Sequence, residues 1–248
     1  MRTTNLDKIK EATKLLAKSV SVTSVPEFDM LSTHPFTESV IWYKKFSEAY
    51  LGSGKIEPNK IAKEIDLRVP ETFSAWLEEF NAIVDKAKTV VEVYMLWRTP
   101  YKLLFVKMCQ ELLSDKELAE YLADAWVTED NPNMDVNVSR REALELFKKC
   151  KKTYLMTPED YQYYKNLPDQ ITVWRGVGVG RTKYGLSWTD DEEKAKWFMN
   201  RWNAAGEQGT MLRATVDKKD VVAYFNTRNE KEILLDVFAC KNNIMEIK

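Results

Sequence analysis

The chain changes texture about two thirds of the way along. Up to about residue 170, apolar positions recur at three- and four-residue steps, the mark of helices that bury one side. The clearest run starts at Pro70 and carries Phe73, Trp76, Leu77, Phe80, Ile83, Val84, Ala87, Val91 and Tyr94. It predicts one helix to about Arg98, with Pro100 as the stop. Shorter helices follow, several with start signals. Ser114 with Glu117 and Ser139 with Glu142 have capping-box spacing, and Thr157 precedes Pro158, which suits a first helical position. Thr128 to Asp135 is rich in turn formers and reads as a loop.

After Asp169 the period shortens to two. Ile171–Arg175, Thr210–Val216, Val221–Phe225, Glu232–Asp236 and Asn243–Ile247 read as strands. One helix interrupts them, with Thr189 as its N-cap, acidic residues from Asp190 to Glu193, and Ala195, Phe198 and Trp202 on its apolar side. Short strands with tight turns and a single helix predict an α+β fold with mostly antiparallel pairing. A helical N-terminal lobe over residues 1–130 would pack on a strand-rich core over 131–248, the two forming one compact unit. The glycines at 176, 178 and 180 follow a strand, but no helix opens directly behind them as a dinucleotide fingerprint requires. What stays open is a loop whose backbone can approach a ligand.

Composition narrows the classes of function. Thirty-seven Lys and Arg against 38 Asp and Glu leave a net charge of −1, which excludes a polybasic nucleic-acid tail and an acidic solubiliser. There is no signal-peptide pattern behind Met1 and no apolar run of membrane-spanning length, so a cytoplasmic protein without membrane attachment is expected. Cys109, Cys150 and Cys240 are far apart and form no CxxC pair, which argues against a disulfide framework and a zinc site. The one histidine, His34, has no metal-type neighbours, so no metal is expected.

Three short blocks remain as carriers of chemistry. Arg175 ends a strand and is followed by Gly176; Ser187-Trp188-Thr189 runs towards a helix; Glu230-Lys231-Glu232 opens the last apolar strand but one. Singly, these are a surface arginine, a helix cap and solvated charges. Their order, spacing and strand placement set them apart.

With W-R-G at Trp174–Gly176, G-L-S-W-T at Gly185–Thr189 and N-E-K-E-I-L-L at Asn229–Leu235, the sequence resembles the R-S-E class of mono-ADP-ribosyltransferases over roughly residues 171–236. That group includes many bacterial toxins and phage enzymes. The resemblance implies a split β-sandwich that binds NAD between two sheets. It also implies that Glu232 bonds the ribose 2′-hydroxyl and that Ser187 aims Glu232. Arg175 would pair with NAD phosphate, and the Gly176 backbone would meet the nicotinamide amide. Glu230 would orient or deprotonate the nucleophile. Thr189 is a further NAD-binding candidate, Arg201 and Trp202 are weaker ones, with core packing the alternative for Trp202, and Tyr224 or Phe225 either contacts the acceptor or is a core strand residue. Trp188 departs from the usual Ser-Thr-Ser triplet and is expected in the core. The chemistry suits these residues independently. Breaking the nicotinamide–ribose bond puts positive charge on the sugar, which a preorganised carboxylate stabilises. If the strand extends back to residue 230, Glu230 and Glu232 share one side of it.

The expected activity is therefore transfer of ADP-ribose from NAD to a macromolecule, by default a protein arginine. An RNA base is the alternative acceptor, as in toxin–antitoxin or antiphage effectors, and an antitoxin protein would be a partner. A non-catalytic NAD-binding module or a helical interaction protein is the remaining alternative. From residue 171 onward there are 13 Lys and Arg and 11 Asp and Glu, a balance compatible with either acceptor.

Overall fold

Side-chain caps fix where the helices begin. Ser139 and Glu142 form a complete capping box; Ser114 accepts from the Glu117 N–H, and Thr157 from the Asp160 N–H. The computed structural model describes residues 2–19, 34–36, 41–43, 64–67, 69–201 and 203–247. They divide into two compact units, Thr4–Leu112 and Met1–Thr3 with Leu113–Lys248.

In the Thr4–Leu112 unit, helix α1 (Leu6–Ser19) is followed by a two-stranded antiparallel pair, β1 (Ile41–Tyr43) with β2 (Glu64–Asp66). Among the described residues, helices α2 (Pro70–Lys86), α3 (Val90–Tyr94) and α4 (Lys102–Cys109) follow. The strand pair departs from the all-helical expectation for this half. The single helix predicted to run to Arg98 is also two. Ala87 turns extended (ψ 132°), and the Thr89 side chain caps α3 by accepting from the Glu92 N–H. Thr89 and Glu92 thus hold a start signal that the apolar period masked. The core gathers Ala17, Leu67, Trp76, Phe80 and Val84. His34 is buried edge-on to Trp76, and burial, with the Arg98 charge, pulls its pKa down to about 4.

The second unit begins with α5 (Asp115–Thr128), α6 (Arg140–Lys149), α7 (Lys152–Leu155) and α8 (Pro158–Asn166). Strands β3 (Gln170–Val177) and β4 (Ser187–Thr189), helix α9 (Glu192–Asn200), and strands β5 (Thr210–Asp217), β6 (Val221–Phe225), β7 (Glu232–Leu235) and β8 (Ile244–Ile247) follow. The division after Leu112 keeps α5 with the sheet, where the sequence had placed the boundary at residue 130. Packing gives the reason. Leu118, Ala119, Leu122, Ala125 and Trp126 of α5 are buried, and Trp126 meets Phe147 of α6 edge-on at 5.4 Å.

All pairings in the sheet are antiparallel, in the order β6-β7-β4-β3-β5-β8. The fold is α+β. The sheet is continuous rather than two separate sheets, yet its middle is thin. β3 pairs with β5 along eight positions and with β4 at Trp174↔Thr189 alone. Two three-stranded halves therefore meet at a seam one residue pair wide. The cap of α9 is Asp191, which accepts from the Glu193 and Lys194 N–H groups. Thr189, expected in that role, stays on β4 and accepts from the Asp191 N–H at 3.2 Å.

Helix α9 lies directly on β3. A Cβ at Gly176 would fall inside contact distance of the Ala195 carbonyl and the Met199 N–H. Gly176 is therefore required for backbone-on-backbone packing. Gly176→Ala should destabilise the protein by about 1–3 kcal/mol through overpacking. Denaturant melts check this; an unchanged midpoint would show that α9 can move aside.

Candidate functional site

The seam opens into a cavity of about 240 Å³, and every wall of it belongs to the sheet-bearing unit. Its lining joins the three motif blocks. Arg175 and Gly176 come from β3, Ser187 and Thr189 from β4, and Glu230 and Glu232 from the start of β7.

Arg175 sits where β3 and β4 part. One terminal nitrogen donates to the Ser187 carbonyl at 2.5 Å and the other to the Thr182 carbonyl at 3.1 Å. The guanidinium thus takes the place of ladder hydrogen bonds that the strands no longer make. Gly185 leaves it room, since a Cβ there would strike both the guanidinium and Asn133 Oδ1. The Arg175 Nε–H is buried without a partner. Burial lowers the pKa of Arg175 to about 10, Glu232 opposing and Arg140 adding to the shift, so the side chain stays cationic at neutral pH.

Glu232 opens β7, paired in register with Thr189. The Trp126 indole N–H donates to Glu232 Oε1 at 2.9 Å, and Ser187 hydrogen-bonds the same carboxylate. Ser187 is held in turn by Asn133, whose amide donates to the Ser187 Oγ at 2.8 Å while its oxygen accepts from the Leu186 N–H. Burial raises the pKa of Glu232. The bonds from Ser187 and Trp126 pull it back, the Glu230 charge raises it, and Arg175 lowers it.

Glu230 reaches the same cavity by a different route from the one expected. The strand does not extend back to it. Lys231 and Asn229 have left-handed backbones (φ 48° and 54°), so Glu230 sits on a bend and strand alternation does not apply to it. Side-chain ties hold the bend. Asn226 Oδ1 accepts from the Lys231 N–H at 3.1 Å, and Lys231 Nζ pairs with Asp191 at 2.9 Å. Arg228 pairs with Glu230 at 3.3 Å and donates to the Val127 carbonyl at 2.9 Å.

The other expected residues divide. Arg201 lines the cavity, with its guanidinium 4.7 Å from the Trp197 ring centroid. Trp202 lies outside the described residues. Tyr224 and Phe225 do not reach the cavity. They are buried in β6, Tyr224 stacked on Tyr163 at 4.1 Å and Phe225 against Phe147 at 6.2 Å. Trp188 is buried, its indole donating to the Gly185 carbonyl, although part of it lines the cavity wall. The glycine-rich stretch makes a turn, with Gly180 left-handed and the Arg181 N–H on the Gly178 carbonyl.

Three residues of the cavity had no sequence signal. Trp126 and Asn133 hold the motif residues, and Glu129 adds a further carboxyl to the lining beside Asp130, Glu230 and Glu232. Trp126 reads as one more core position on an amphipathic helix, and Glu129 and Asn133 as loop polar residues. Among the described residues, no three His, Cys, Asp or Glu side chains gather to hold a metal, and no helix is long and apolar enough to cross a membrane. Comparison with family models, curated proteins and solved structures gives no match.

Trp126→Phe keeps the ring and removes the donor, so the pKa of Glu232 should rise further, read by carboxyl NMR titration. No movement would mean that the indole bond is electrostatically idle. Burial, with Asp135 and Asp130 nearby, raises Glu129 from 4.5 to about 7. The folded state therefore holds this proton more tightly than the unfolded chain does. Its stabilising effect is complete below the unfolded value and is lost as pH rises through about 7. Unfolding free energy measured from pH 4.5 to 7.5 should fall less steeply in Glu129→Gln than in the wild type.

Proposed function

We propose that this protein is an NAD-dependent mono-ADP-ribosyltransferase whose β-sheet unit is a variant of the split β-sandwich. One observation carries the reading. An arginine, a serine and a glutamate from three separate motifs converge on one cavity, with the serine bonded to the glutamate.

The donor set fits NAD. Two of the five N–H donors of Arg175 are taken by carbonyls, and the buried Nε–H has no partner, which leaves a guanidinium suited to phosphate. Arg181 and Arg201 stand in the same wall. Glu232, held by Trp126 and Ser187, is preorganised to face the positive charge that develops on the ribose as nicotinamide leaves. Glu230, held through Arg228, orients the acceptor.

A protein arginine is taken as the acceptor. Glu129, Asp130, Glu230 and Glu232 line the cavity together. Arg175, Arg181, Arg201 and Arg228 line it too, so charge alone does not choose between a protein arginine and an RNA base, and the Glu-x-Glu resemblance is what favours arginine. A toxin restrained by an antitoxin, acting in a cytoplasm, is the biological setting that goes with this chemistry.

Incubation with NAD labelled in the adenylate part tests the reading. Nicotinamide should be released, and Glu232→Gln should slow release by about a hundredfold, as for loss of one preorganised electrostatic group. Absence of NAD binding by calorimetry in the folded wild type would end the enzyme reading. Transfer onto lysate, followed by protease and nuclease digestion in parallel, identifies the acceptor class by which digestion removes the label.

A further inference from the structure

The C-terminal end of α5 reaches Glu232 directly and Glu230 through Arg228. Trp126 donates to Glu232, and the Val127 carbonyl holds Arg228, the ion-pair partner of Glu230. Glu129 follows two residues later and lines the same cavity. The three carboxylates are not equally available. Glu232 accepts from an indole and a hydroxyl, and Glu230 is paired with a guanidinium. Glu129 takes one bond from the Asn131 N–H, while its Oε2 is buried with no partner. A buried carboxylate oxygen without a donor costs free energy unless a ligand supplies one.

Building on the transferase reading, we propose that Glu129 is the base that takes the proton from the acceptor during transfer, leaving Glu230 to position that acceptor. In this step the C1′–nitrogen bond of NAD breaks and its electron pair leaves with neutral nicotinamide. The acceptor's lone pair forms the new bond to C1′, and the acceptor's proton passes to Glu129 Oε2. Glu232 faces the sugar throughout.

The environment suits a group that must both take and release a proton near neutrality. Burial is the largest influence on Glu129, and Asp135 and Asp130 add to it, together bringing its pKa to about 7. The other charges in the cavity wall are Arg175, Arg181, Arg201 and Arg228 with Glu230 and Glu232.

The test measures transfer of labelled ADP-ribose onto lysate from pH 5.5 to 8.5, with nicotinamide release in the absence of acceptor measured alongside. Wild-type transfer should climb about fivefold from pH 6 to 7 and about twofold more by pH 8, levelling off above that, as for one ionising group. Glu129→Gln should lose transfer about a hundredfold and lose the climb, while NAD binding stays within about twofold. Glu129→Asp should keep a titrating limb at reduced rate. A Glu129→Gln variant with the wild-type pH profile overturns the assignment, as does parallel loss of NAD binding. A wild-type profile without an inflection near 7 overturns it even if the variant fails to fold. Wild-type protein that releases no nicotinamide at all is a different failure, since it removes the transferase reading itself.

Discussion

The seam of the sheet depends on one cation. Where β3 and β4 separate after Trp174↔Thr189, the Arg175 guanidinium spans the carbonyls of Ser187 and Thr182. A lysine could offer its charge as a point but would lack the planar fork that serves two acceptors at fixed angles. This contact lets the strands diverge without leaving the Ser187 and Thr182 carbonyls bare. The cavity follows from it, since a continuous β3–β4 ladder would leave no opening. Burying a guanidinium is unfavourable unless an opposite charge stands near, and Glu232 provides one across the cavity. Fold and site therefore share a group: the residue that keeps the gap open also charges its wall.

Around this cation the carboxylates are graded by what holds them. Glu232 is fixed by Trp126 and by the chain Asn133–Ser187, Glu230 by Arg228, and Glu129 least of all. Similar side chains are thereby held by different partners within one small volume, and burial raises the pKa of both Glu129 and Glu232. The segment that does the grading comes from before the sheet in sequence. Helix α5 and the turn after it supply Trp126, Val127, Glu129 and Asn133, so this stretch completes the site as well as packing beneath it.

Much of the sheet was legible from its alternation. The five segments from Ile171 to Ile247 became strands with shifts of one or two residues, β3 and β5 showing alternation and β6 and β7 being short apolar runs buried almost throughout. The motif residues Arg175, Ser187, Glu230 and Glu232 were legible as types in order, and they do line one cavity. What could not be read were contacts across long sequence separations. Trp126 reaches Glu232 from 106 residues away, and neither position's local pattern encodes the other. Asn133 looks like a turn residue until Ser187 is beside it. The fate of Tyr224 and Phe225 was undecidable for the opposite reason, since aromatic strand residues beside a motif look alike whether they face ligand or core. Thr89 shows a local miss, its cap hidden under a longer apolar rhythm that ran through Ala87 and Val91.

The Glu-x-Glu spacing has a consequence of its own. Two residues apart on a strand, the carboxylates would share a side by simple periodicity, and the intervening residue would hardly matter. Here Asn229 and Lys231 are left-handed, and the bend between them is closed by Asn226 and anchored on Asp191. The separation of the two carboxylates is thus a property of loop closure. Length is the rigid variable: inserting or deleting one residue anywhere from Asn226 to Lys231 would swing Glu230 away from the cavity. Side-chain identity at the two bent positions is the permissive one, with glycine accommodated best and β-branched residues worst.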